Sequence, residues 1–324
     1  MKSLALALAA SIAASMMLVC MTAAQTSRPG SPQTLFVSVT NKAGQYIPNL
    51  KAADFILEEN GSRQEIANFK PDSEAPVSLG ILIDKSASMR LPVANQGGEK
   101  VSAALLAANG AAKVVLKLMK PQDEYLLMVF DDVFNVKQNF TSDGKKMTET
   151  LSKNLSVGGS TRLYRAIADA LKETSKKAKN RRKALIVITD VHDTSGDKVE
   201  DLQATIRSSE IPVYTFGMRW DAWGVPGEDA QPGKSTYEQE VLKMMAVDSG
   251  GFSMVVDIPN LLTDYTISRM IDFVSTIGVD LRGQYTLTYN SATTGDDAER
   301  DIRLRSTTPE YQVRFSRDIN QGKK

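Results

Sequence analysis

Four apolar runs constrain this chain more than anything else in it: "VSLGILID" (77–84), "DEYLLMVF" (123–130), "KALIVITD" (183–190) and "IPVYTFGM" (211–218). None alternates apolar with polar residues, so each reads as a parallel strand covered on both faces. Between them lie segments with helical periodicity: 99–119, 163–178, 198–208, 238–249 and 260–279. Strands alternating with helices predict an α/β fold, doubly wound around a mostly parallel sheet.

The flanks have another texture. "LFVSVTN" puts Leu35, Val37 and Val39 on one face, which predicts a half-buried strand. Phe55 and Leu57 alternate ahead of Asn60-Gly61, a dipeptide that accepts positive φ at both turn positions and so predicts a hairpin. After Leu281 the alternation returns in "QYTLTYN", "RDIRLRS" and "YQVRFS". Neither flank is long enough to bury a good core alone. The strands of 35–69 and 284–316 are therefore expected to join in one small β-sandwich, with the α/β domain inserted between them.

The chain of 324 residues divides on this reading into a signal peptide (1–24), a polar linker (25–33), an N-terminal β segment (34–75), an α/β domain (76–280), a C-terminal β segment (281–317) and a polar tail (318–324). The first segment has Lys2, a long apolar stretch and Thr22-Ala23-Ala24 before Gln25, the layout of a cleaved export signal. Export to the periplasm or medium is the expectation, with membrane contact only if this segment is retained. Cys20 is the single cysteine, preceded by a Val19 too bulky for lipoprotein processing, and cleavage after Ala24 leaves a mature chain without disulfides. The net charge of +1 gives no reason to expect nucleic acid or an anionic membrane as partner.

Two of the buried runs end in aspartate, Asp84 and Asp190, and sites in open α/β sheets form outside the carboxyl ends of strands. Asp84 begins "DKSAS", which adds Ser86 and Ser88. "GGSTRLYRAI" supplies Thr161 after a flexible Gly158-Gly159 pair. Singly, each hydroxyl reads as a helix cap. Together, two carboxylates and three hydroxyls make an all-oxygen set suited to a hard divalent cation, with coordination left to be completed by water or a partner. Asp193 is a neighbour that could support the set from behind.

These residues resemble the metal-ion-dependent adhesion site of von Willebrand factor type A domains, over roughly residues 77–279. The flanking "NKAGQYIPNLKAADFILEENGSRQEIANF" and "GQYTLTY" resemble a group of secreted bacterial proteins with this domain. The resemblance implies a Rossmann-like fold and Mg²⁺ (or Mn²⁺) held by Asp84, Ser86, Ser88, Thr161 and Asp190. It further implies a protein ligand whose Asp or Glu carboxylate completes the metal's coordination, and no enzymatic activity. The family usually has Gly after the last aspartate, where this chain has Val191.

Other readings are weaker. "GVPGEDAQPGKST" has five residues between Gly227 and Gly233 where a P-loop has four, so no nucleotide site is expected. His192 is the lone histidine, which excludes multi-histidine zinc sites. A metal-dependent phosphate-ester hydrolase would have only His192, Asp193 and Arg162 to draw on, and a structural role in an envelope assembly is a third possibility. The long stretch 218–237 carries Trp220 and Trp223, residue types that anchor interfaces or bury themselves against a helix.

Overall fold

The computed structural model describes residues 31–90, 93–96, 99–118, 120–153, 157–220, 237–258, 264–291 and 300–317. The segments read as signal peptide and tail lie outside these, as do Trp223, the side chain of Trp220 and the P-loop-like Gly233-Lys234-Ser235.

The four predicted parallel strands form, β5 (Val77–Asp84), β8 (Glu124–Phe130), β10 (Arg182–Thr189) and β11 (Val213–Trp220), and a fifth that the sequence reading did not find, β12 (Ser253–Ile258), joins them. With β9 (Phe134–Thr141) they make one sheet in the order β12-β11-β10-β5-β8-β9, parallel except for β9 at its edge. β5, β8 and β10 are buried at every position, which is why their sequences are apolar without alternation. Helices α1 (Ala103–Leu116), α2 (Gly144–Leu151) and α6 (Asp264–Arg282) cover one face. Helices α3 (Leu163–Lys177), α4 (Val199–Ser209) and α5 (Tyr237–Asp248) cover the other.

Besides β9 and β12, several short elements escaped the sequence reading. Helix α2 has eight residues, too few for its periodicity to stand out, and is announced by Asp143, whose carboxylate accepts from Lys145 N and Lys146 N. The helix expected from residue 99 starts instead at Ala103, with the Ser102 hydroxyl accepting from Leu105 N. Ahead of it, β6 (Val93–Gln96) and β7 (Glu99–Ser102) pair antiparallel, with Gln96 opposite Glu99 on either side of Gly97-Gly98. That glycine pair was the unread hairpin signal.

The flanks join as expected. β1 (Ser31–Thr40), β4 (Ile66–Pro71), β13 (Gln284–Ser291) and β15 (Gln312–Arg317) form a sheet in the order β15-β1-β13-β4. β2 (Phe55–Glu59), β3 (Ser62–Gln64) and β14 (Ile302–Ser306) form a second, in the order β14-β2-β3. Both sheets mix strands from the two ends of the chain, and Leu35, Val37, Val39, Phe55, Leu57, Tyr285, Leu287, Tyr289 and Leu304 share one core. Asn60 (φ 50°) and Gly61 (φ 76°) make the two-residue turn between β2 and β3. β1 begins at Ser31, inside the stretch read as linker.

β1 is also not half-buried. Every residue from Thr34 to Thr40 is buried, because its second face packs on the α/β domain. There the Ser38 hydroxyl donates to Asp280 Oδ1 at 2.8 Å, and the Arg182 guanidinium lies 5.1 Å from the Phe36 ring centre. Arg182, 2% exposed, donates to Asp72 O (2.8 Å), Leu281 O (3.4 Å) and Asp72 Oδ2 (3.3 Å). One buried guanidinium thus ties together the two points where the chain passes between sandwich and α/β domain. Tyr285 pairs with Pro71, so those points are neighbours in the sheet.

Candidate functional site

From β5 the chain moves to β8 on one side; from β10 it moves to β11 on the other. The carboxyl ends of β5 and β10 therefore flank the switch in strand order, where open α/β sheets form their binding crevice. Ile83 pairs with Ile188, which sets Asp84 beside Thr189 and puts Asp190 one residue beyond.

Asp84 is fully buried, and both its oxygens are engaged. Oδ1 accepts from Ser86 N at 2.8 Å and Oδ2 from Thr189 Oγ1 at 2.6 Å. The first bond folds the chain back so that the hydroxyls of buried Ser86 and exposed Ser88 come within 3.1 Å of each other. Asp190 is 3% exposed, and the Ser88 hydroxyl and the backbone N–H groups of Asp190 and His192 lie near enough to favour its charged form. Its Oδ1 is nevertheless buried without a hydrogen-bond partner among the described residues. An orphaned carboxylate oxygen beside two hydroxyls costs free energy unless something positive faces it.

The electrostatics agree. Burial, reinforced by the neighbouring Asp190 charge, pushes the Asp84 carboxyl up to about 7, against the pull of Thr189 and Ser86. Burial likewise raises Asp190 to about 6. No group of three or more Asp, Glu, His or Cys side chains able to hold a metal forms among the described residues. A cation here would depend on hydroxyl oxygens, the donor set of a hard ion.

Thr161 arrives on a loop strapped to the same edge. Gly158 N donates to Lys85 O (3.1 Å), Ala87 N to Gly159 O (3.1 Å) and Arg162 N to Asp131 O (3.1 Å). Thr161, 3% exposed, is held through its backbone by Thr194: its N–H donates to the Thr194 hydroxyl Oγ1 (2.9 Å) and its carbonyl accepts from Thr194 N (2.9 Å). Lys85 forms a nearly buried ion pair with Asp131, so its ammonium is already neutralised at this edge. Asp193 spends its oxygens on its own loop and the start of α3, accepting from Tyr164 N (3.4 Å), Ser195 N (3.1 Å) and Ser195 Oγ (2.8 Å). It serves the start of α3, whose own N-cap residue Arg162 offers no side-chain bond.

Val191 departs from the usual glycine, and the backbone shows what that position demands. Its φ is +69°, the left-handed region that a β-branched residue rarely enters. Its side chain is seated over Gly217 of β11, where an added Cβ would lie 2.6 Å from Val191 Cγ2. Sequence reading singled out Val191 but passed over Gly217, Thr189 and Lys85. Thr189 alone left a trace, as a hydroxyl one place ahead of the strand-ending aspartate.

The fold and crevice define a doubly wound α/β domain with a carboxylate and hydroxyl edge. Residues 79–192 match the family model described as the von Willebrand factor type A domain, so the chain contains a domain of this type. Comparison with curated proteins finds no match. Among solved structures, the chain is similar to BatB, a conserved hypothetical protein from Bacteroides thetaiotaomicron (21% identity, TM-score 0.44, 63% of this chain and 98% of that one). It is similar to an aerotolerance-related membrane protein from Bacteroides fragilis NCTC 9343 (20%, 0.43, 62% and 98%). A von Willebrand factor type A protein from Catenulispora acidiphila gives 14%, 0.47, 89% and 73%.

Proposed function

We propose that this is an exported protein-binding module that grips its partner through Mg²⁺ or Mn²⁺ at the switch-point edge. The observation that carries this reading is Asp190 Oδ1, buried and unpartnered among the described residues, on a carboxylate neighboured by Ser88, whose hydroxyl lies 3.1 Å from that of Ser86. Asp190, Ser86, Ser88 and Thr161 would hold the ion, with Asp84 anchoring the serine loop and countering its charge. When bound, the cation supplies a positive, coordinatively unsaturated centre that an Asp or Glu carboxylate of a protein ligand can complete. The protein's own part is to hold the oxygens in place before the partner arrives, so little ordering is left to be done on binding. Export rests on the residues of the first segment. No helix among the described residues is long and apolar enough to cross a membrane.

Calorimetry tests the reading. The intact protein is expected to bind one Mn²⁺ per chain, and Asp190→Asn, which keeps shape but removes charge, to bind none. Retention of a surface-immobilised partner in Mg²⁺ should be lost in EDTA and in the same variant. Equal metal binding by Asp190→Asn and wild type would overturn the assignment.

A further inference from the structure

We propose that Thr189 is a positioning residue of the metal site, its hydroxyl locking the serine loop and Asp190 into one arrangement. The inference rests on the metal reading above and adds a residue that lies outside the ligand set. Thr189 is fully buried at the last position of β10. Val191 N lies 3.1 Å from its Oγ1, and an N–H can only donate, so the hydroxyl must accept there. The hydroxyl's own proton is then committed to Asp84 Oδ2, 2.6 Å away. A single rotor is fixed at both ends by the donor and acceptor chemistry of its neighbours.

Each end holds a different half of the site. Asp84, gripped at Oδ2, turns its Oδ1 to Ser86 N and so shapes the loop that presents Ser86 and Ser88. On the other side, the bond from Val191 N spans Asp190 and fixes the direction in which the Asp190 side chain leaves the strand. The Thr189 hydroxyl is thus the lateral bridge that sets the spacing between the two halves. Groups that orient metal ligands from behind characteristically control affinity by about 10- to 100-fold when removed.

The experiment measures Mn²⁺ affinity by calorimetry for wild type, Thr189→Val and Thr189→Ser, with melting in EDTA recorded for each. Thr189→Val keeps the shape and deletes the hydroxyl; Thr189→Ser keeps the hydroxyl. The expected result is about 10-fold or greater weakening for Val and affinity close to wild type for Ser. A threonine that only supports the strand would move the melting temperature and leave affinity unchanged. If Thr189→Val does not fold, Thr189→Cys, near in volume but a poor donor, takes its place with the same expected loss. Wild-type binding matched by the Val or Cys variant overturns this inference alone. Failure of wild type to bind Mn²⁺ overturns the metal reading, and this one with it.

Discussion

Asp84 and Asp190 store a conflict that pH can expose. Both carboxyls are raised in the fold, to about 7 and about 6, above the 3.8 of a free aspartate, with burial the leading cause. Between those values the folded protein holds more protons than the unfolded chain, so its stability falls as pH rises. In EDTA, thermal melting is expected to drop between pH 4 and pH 8, and Asp84→Asn should flatten the profile while removing metal binding. A profile that rises over this interval would contradict the burial of the pair. Excess Mg²⁺, binding only the folded state, should restore the melting temperature at pH 8 by mass action. The candidate ligands were legible in the sequence because strand-ending aspartates and a D-x-S-x-S spacing survive without coordinates. Thr189 was not, because its meaning depends on which residue lies beside it on the next strand, and lateral register is not written along the chain.

At the scale of elements, β10 and β11 are fitted to each other through one side chain. Val191 takes a left-handed conformation and finds room for its branch only because residue 217 is glycine. Gly217→Ala is expected to destabilise by about 1–3 kcal/mol, the usual cost of overpacking. In a Val191→Gly background the same substitution should cost much less, and a denaturation double-mutant cycle reads the difference. Additive effects would mean that the two sites do not meet. The long buried strands and the helices of three turns or more were legible from continuous apolar runs and 3.6-residue periodicity. β7 was swallowed into a helix, and β6, β12 and α2 were missed, because short elements give too few residues for a period to declare itself; β9 was missed although it is as long as β5, its sequence being mostly polar.

Across the whole molecule, sandwich and α/β domain meet through buried charge. Asp280 is 1% exposed at its side chain and is held by Ser38 and by an ion pair with Arg314 of β15. Arg314→Ala strands that carboxylate in the interior and is expected to cost about 3–5 kcal/mol, read by urea denaturation. Replacing both partners, as Arg314→Met with Asp280→Asn, should cost less than Arg314→Ala alone. The sandwich itself was legible from two half-sized sets of alternating strands, each needing a cover. The burial of β1 on both faces was not, since Phe36, Ser38 and Thr40 read as the outward row until the neighbouring domain is seen. That strand also has a consequence in time. Ser38 finds its partner 242 residues further along, and the strands that β1 pairs with among the described residues are β13 and β15, a single bridge from Thr40 to Tyr46 apart. A ribosome delivers β1 first and its neighbours last, so the strand must wait, with its edge unpaired, while the α/β domain is made and collapses on its own nearer contacts. The sandwich is the clasp that closes only when the whole necklace has been strung.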